Sequence, residues 1–291
     1  MSQVAKVRAY YQQTKHDYQS FWMSRRSLAM HFGYYDQTVR THEESLLKMN
    51  AVLADYAEIS ATTHVLDAGC GYGGSALWLA ATYGCLVHGI NISPEEIQAA
   101  QYFARVHGVA HLVEFAVMDY TQITYPDASF DVVWALETLV HTQDRPAFVH
   151  HAHRMLRPGG RLLISEYLLR EHPPLSPAEH AVLTPMLEGF AMTPLLTISD
   201  YRQLFAQQFR LRTYDLTEQV RRSVEHLGKL RLPTIPTVSL LLKITPLLRV
   251  CHLLSPARIN NYRAGLCMAE ALRQGLWRYI VLVAEKREEA R

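Results

Sequence analysis

Between residues 63 and 167 the chain alternates short apolar runs with longer segments of helical period, and this constrains the fold more than any other feature. The apolar runs fall at residues 63–67, 86–90, 112–117, 130–135 and 161–167. Helical segments lie between them at residues 75–83, 93–107 and 146–156. Ser93-Pro94-Glu95-Glu96 supplies an N-cap, a proline at the first helical position and a glutamate where a capping box needs one. Gly108 and Pro158-Gly159-Gly160 are stop signals. Strands joined through helices run parallel by right-handed crossovers. Runs this continuously apolar suit a sheet covered on both faces. Two later runs, at residues 211–216 and 277–284, extend the sheet. The expectation is an α/β chain, Rossmann-like and doubly wound, with a mostly parallel seven-stranded sheet.

The flanking segments break that rhythm. Residues 1–60 read as a helical segment, rich in Tyr and Gln, that covers the site. The core takes residues 61–218 and 275–291, and residues 170–198 read as an irregular proline-rich connection before a helix at 200–208. Residues 219–274 read as an apolar helical cap inserted before the last strand. Within it, "TIPTVSLLLKITPLLRVCHLL" (residues 234–254) is long enough to span a bilayer but contains Pro236, Lys243, Pro246 and Arg249. A central Lys or Arg costs about 2.5–3.5 kcal/mol on insertion scales. The segment is therefore read as a lid over a hydrophobic acceptor rather than a transmembrane helix. Packing on a membrane surface, or on a second subunit in a homodimer, stays open.

Composition narrows the partners. Lys plus Arg number 29 against 27 acids, a net charge of +2, which lacks the basic footprint of a nucleic-acid binder. The cysteines at 70, 85, 251 and 267 are scattered, which suggests neither a disulfide framework nor a zinc site and fits the cytoplasm. The N-terminus lacks the apolar stretch of a secretory signal. "HHAHR" at residues 150–154 has no acid beside it and reads as a solvated helix face, not a metal site.

The stretch "VLDAGCGYGGS" (residues 65–75) raises the question of ligand. Gly69, Gly71 and Gly74 satisfy the dinucleotide fingerprint after a strand. Asp67, however, stands two residues before the first glycine, where its charge would repel a pyrophosphate. The acid expected to hold a ribose about 20 residues further on is replaced by Asn91. A cationic ligand reverses the sign. S-adenosylmethionine carries a sulfonium and an ammonium, and Asp67 can orient the ammonium. Asp119, closing the third strand, can accept from an adenine amino group, while Asn91 and Glu96 lie where ribose hydroxyls come. Plain turn and helix capping is the competing account of Asp119 and Glu96. A nucleotide-dependent oxidoreductase is the competing enzyme class.

With these positions in view, the chain resembles the class I S-adenosylmethionine-dependent methyltransferases. The resemblance rests on "HVLDAGCGYGGSALWLA", "GINISPEEIQAAQ", "VMDY", "SFDVVWALETLVHTQD" and "RMLRPGGRLLISEY", in that order. "GINIS" and "HFGYYD" (residues 31–36) resemble the small-molecule branch, which includes sterol and tocopherol, sugar and alkaloid methyltransferases. The resemblance implies that Asp67, Gly69 and Gly71 hold the methionine part of the donor. It implies further that Asn91 and Glu96 face the ribose, Asp119 the adenine, that Leu136 packs near the donor, and that Tyr34 or Tyr35 covers it. Glu96 departs from the Gln common in that branch, and Asn91 from its Thr or Ser.

Methyl transfer from a sulfonium is an in-line displacement that depends on alignment. Acceptors that lose a proton also need a base near pKa 6–7. His141 in "LETLVHTQD" is the candidate, since it follows the fourth strand at the sheet's carboxyl edge and the resembled enzymes place a His there. Glu137, four residues earlier, is placed to share a helical face with it and raise its pKa. Glu166 is the second acid candidate. Arg221, Arg222, Lys229 and Arg231 cluster before the apolar segment and suit a diphosphate or an anionic surface.

Overall fold

The structure is a computed structural model that describes residues 1–24, 26–228 and 256–287. Its centre is a seven-stranded sheet in the order β3-β2-β1-β4-β5-β7-β6. Strands β1 (His64–Ala68), β2 (Leu86–Asn91), β3 (Val113–Val117), β4 (Phe130–Leu136) and β5 (Leu156–Leu169) are parallel. Strand β7 (Trp277–Lys286) inserts antiparallel between β5 and β6 (Phe209–Asp215). The expected Rossmann-like sheet is therefore present, and its order reverses between β1 and β4. Open α/β sheets leave a crevice at such a point, outside the carboxyl ends of the strands.

Both faces of the sheet are covered, as the continuous apolar strands require. Along β4, Val132 and Trp134 enter one core while Phe130, Val133 and Ala135 enter the other. On β7, Tyr279, Val281 and Val283 alternate in the same way with Ile280, Leu282 and Ala284. Helices α3 (Gly74–Tyr83) and α4 (Pro94–Val106) cover the first face, and α5 (Arg145–Met155) and α7 (Ile198–Phe205) the second. Leu163 and Ile164 are each 0% exposed, and truncating a buried leucine or isoleucine to alanine costs about 2–5 kcal/mol.

Ahead of the sheet lie α1 (Gln3–Asp17), one π-type turn (Tyr18–Trp22) and α2 (His42–Ala57). The proline-rich connection at residues 170–198 is not irregular throughout: it contains α6 (Pro177–Gly189). Ser176 and Glu179 form a complete capping box there, with Pro177 in the first turn, so this proline starts a helix rather than excluding one. Before the last strand, α8 (Thr217–Gly228) and α9 (Pro256–Arg273) pack together, and α9 also packs on α6 and α1. The apolar segment at 234–254, with Lys229 and Arg231, lies outside the described residues. Among the described residues no helix is long and apolar enough to cross a membrane.

Candidate active site

A large cavity opens at the carboxyl ends of β1, β2 and β4, where the strand order reverses. Its floor follows from the glycine turn. Gly69 and Gly71 adopt φ of +89° and +52°, which favours glycine. A Cβ on Gly69 would stand 2.1 Å from Thr138 Oγ1. The turn is tied down by the Gly69 and Cys70 N–H groups, which donate to Ile90 O on β2 at 2.8 and 3.0 Å.

Asp67 projects from β1 beneath this turn and is 3% exposed. It accepts from the Ala76 N–H, and its Oδ2 has no partner. Burial raises its pKa to about 7, with the Ala76 contact partly opposing. A buried carboxylate oxygen without a donor costs free energy that a bound cation or N–H would offset.

Asn91 and Glu96 meet at the next strand end. The Asn91 amide donates to Glu96 Oε2 at 2.6 Å. The expected capping box is only half made: Ser93 Oγ accepts from the Glu96 N–H, but the Glu96 carboxylate does not accept from the Ser93 N–H in return. The Glu96 side chain turns to Asn91 and lines the cavity, 7% exposed, with its pKa raised by burial. Asp119 also lines the cavity, and its Oδ1 accepts from Thr121 N–H and Oγ1 at 2.8 Å each. Acids at 67, 96, 119 and 137 face the cavity against Arg8 as the basic lining residue among those described.

Leu136, Glu137 and His141 line the opposite wall. Glu137 and His141 do not pair as expected. Glu137 leaves β4 with φ +50°, which aims its carboxylate away from the following 3-10 turn (Leu139–His141). It accepts instead from Phe32 N–H at 2.6 Å, from Tyr279 OH at 2.7 Å, and from Tyr167 OH. Burial raises its pKa to about 7 against those donors. His141 Nδ1 faces Ala191 O at 3.2 Å, and a carbonyl only accepts, so Nδ1 carries the hydrogen. Nε2 then accepts from Tyr11 OH at 2.9 Å. Burial lowers the His141 pKa to about 4, the reverse of the rise expected from a neighbouring acid.

Glu166 does not reach the cavity. It is 1% exposed and accepts from Val140 N–H at 2.9 Å and Tyr167 N–H at 3.1 Å, so it secures the turn that carries His141. Burial first, and Glu137 second, raise its pKa to about 8. Tyr34 and Tyr35 also lie away from the lining. The Tyr34 N–H donates to Ser45 O, and the Tyr35 ring carries the Arg222 guanidinium at 4.8 Å. Arg221 pairs with Glu218, so two of the clustered cations are engaged locally.

The sequence reading missed the residues that cover the cavity. Met30, just before "HFGYYD", and His31 and Phe32, its first two residues, enter two to four residues before Tyr34. Helix α1 brings Val4, Val7, Arg8 and Tyr11 on one face, and the π-type turn brings Tyr18 and Trp22. The spacing 4, 7, 8, 11 is a helical stripe, and it was the available signal. The Gln3 side chain fastens α1 to Ala191 O at 3.0 Å, the same carbonyl that holds His141.

Known proteins resemble this chain in sequence and fold. A family model described as a methyltransferase domain matches residues 66–164. The 27-O-demethylrifamycin SV methyltransferase of Amycolatopsis mediterranei (strain S699) is 40% identical over 50% of this chain and 53% of its own length. Norajmaline N-methyltransferase of Rauvolfia serpentina is 30% identical over 61% of this chain and 65% of its own. The chain thus spans a little over half to about two thirds of these relatives. The crystal structure of the [4+2]-cyclase SpnF superposes with a TM-score of 0.78 at 21% identity, over 97% of this chain and 96% of that one, which shows a common fold. The glycine turn and the acid beneath it lie within the matched methyltransferase domain at residues 66–164, and the core resembles the class I S-adenosylmethionine-dependent methyltransferases.

Proposed function

We propose that the chain transfers a methyl group from S-adenosylmethionine to a small, hydrophobic, natural-product-like acceptor. The observation that carries this reading is the buried Asp67 carboxylate with its unpartnered Oδ2 beside the glycine turn. These residues fit the donor: Asp67 would take its ammonium, Asn91 and Glu96 its ribose, and Asp119 its adenine. Bound there, the donor supplies an activated methyl on sulfur. The apolar walls formed by Val7, Trp22, Phe190 and Met192 support a hydrophobic acceptor, as do the natural products in the relatives' names.

His141 is the proposed base: burial holds its pKa at about 4, below the range expected of it, and so keeps the ring neutral and able to accept a proton. Its neutral ring, oriented by Ala191 O, holds a lone pair at Nε2 that Tyr11 OH occupies. An acceptor hydroxyl or amine replaces Tyr11 at that nitrogen, or gives its proton through the Tyr11 oxygen. Glu137 and Glu166 position the covering segment and the His141 turn. Helix α1 and Phe32 exclude water from above.

Calorimetry with S-adenosylmethionine tests the donor, with NADH as the competing ligand of the same fold. Micromolar binding of the first and none of the second is expected, and the reverse overturns the reading. Formation of S-adenosylhomocysteine with 27-O-demethylrifamycin SV and norajmaline, the compounds in the relatives' names, then tests transfer itself.

A further inference from the structure

A second, smaller chamber lies beside the main cavity and shares Tyr18, Trp22, Phe190 and Leu227 with it as lining. We propose that this chamber is a second acceptor subsite, in which Asp17 accepts a hydrogen bond from a hydroxyl or amine at the far end of an elongated apolar acceptor. The proposal rests on the methyl-transfer reading above.

Three observations converge. First, the Asp17 carboxylate lines the chamber, is 6% exposed, and is used on one side only. Its Oδ1 accepts from Arg258 Nε and Nη2 at 2.9 and 2.5 Å and from Tyr262 OH at 3.0 Å. Its Oδ2 has no partner. Fold stability is served by the saturated oxygen, which ties α1 to α9. The buried, unpaired oxygen is destabilising unless something donates to it. Second, Gly265 sits inside α9 where an added Cβ would meet only Leu227 Cβ, at an ordinary 3.7 Å. Glycine in a helix interior costs about 1 kcal/mol relative to alanine, and here no crowding demands it. Its missing side chain keeps the chamber open. Third, the π-type turn directly after Asp17 places Tyr18 and Trp22 on the shared wall. Such turns recur at functional sites. Tyr10 OH fixes this wall, 2.8 Å from Tyr18 OH and donating to Asn261 Oδ1 at 2.9 Å.

The chemistry this selects is specific. The shared wall is aromatic and aliphatic, so the middle of the ligand is apolar. The floor offers one anionic acceptor, so the distal group must donate. The test uses the full chain loaded with S-adenosylhomocysteine and titrated calorimetrically with octanol, octylamine and the methyl ether of octanol. Octanol or octylamine should bind about tenfold more tightly than the ether, the equivalent of one hydrogen bond to a charged group; whichever binds better names the donor class. In Asp17→Asn the amide oxygen keeps Arg258 and Tyr262 while the amide nitrogen faces the chamber, so the preference should vanish or invert. Gly265→Val should weaken all three probes by filling the space. Retained S-adenosylhomocysteine affinity reports that both variants fold. Equal binding of alcohol, amine and ether in the unaltered protein, or a preference that survives Asp17→Asn, overturns the subsite. Failure of the unaltered protein to bind S-adenosylhomocysteine overturns the methyl-transfer reading instead.

Discussion

Replacing Asp67 with asparagine isolates the charge beneath the glycine turn. Asparagine is isosteric, and its amide oxygen can still accept from the Ala76 N–H that Asp67 uses. The turn should therefore persist. What is lost is the ionised partner proposed for the donor's ammonium. A hydrogen bond to a charged group contributes about 1.5–3 kcal/mol, so the donor Kd should rise about 10- to 100-fold. The pKa of about 7 adds a second signature, since binding a cation requires the ionised form. Donor affinity in the unaltered protein should fall towards about tenfold per unit below about pH 7. Binding near about pH 6 should release close to one proton, read from calorimetry in buffers of different ionisation enthalpy. In Asp67→Asn both signatures should disappear. The sign for stability is opposite to that of a surface acid. The folded carboxyl holds its proton to about pH 7, against 3.8 when unfolded. The empty protein therefore loses stability as pH rises through that window, and the variant should lose less. A pH-independent Kd without proton release, or a variant within about twofold of the parent, would refute the assignment.

Gly69→Ala should abolish donor binding and lower the melting temperature. The added methyl meets Thr138 Oγ1 at 2.1 Å, at φ +89°; a fully folded variant with parental affinity would show that the turn can move. His141→Gln should reduce methyl transfer about a hundredfold, the usual scale of a general base, with the donor Kd unchanged. The same variant should gain acid stability relative to the parent. His141 is held near pKa 4 against 6.5 unfolded, so the parent loses up to about 3 kcal/mol as pH falls through that interval. Denaturant titrations at several pH values measure the difference, and equal slopes would remove His141 from the buried set.

The sheet, the glycine turn and the acid beneath it were legible in the sequence because each is fixed by short-range rules. Apolar runs of strand length, helical segments between most of them, and glycines at positive φ specify a βαβ core with a binding crevice. Asp67, Asn91, Glu96 and Asp119 come to that crevice because each ends or follows a strand at the same edge. Three things were decided only by tertiary packing. Phe32, Tyr167 and Tyr279 take the Glu137 carboxylate away from His141, although the two are four residues apart. Tyr11 is placed over His141 from 130 residues away. Asp17 becomes half-satisfied against Arg258, 241 residues distant. Periodicity cannot rank such partners, because they lie on separate elements whose docking depends on how all the buried faces fit at once.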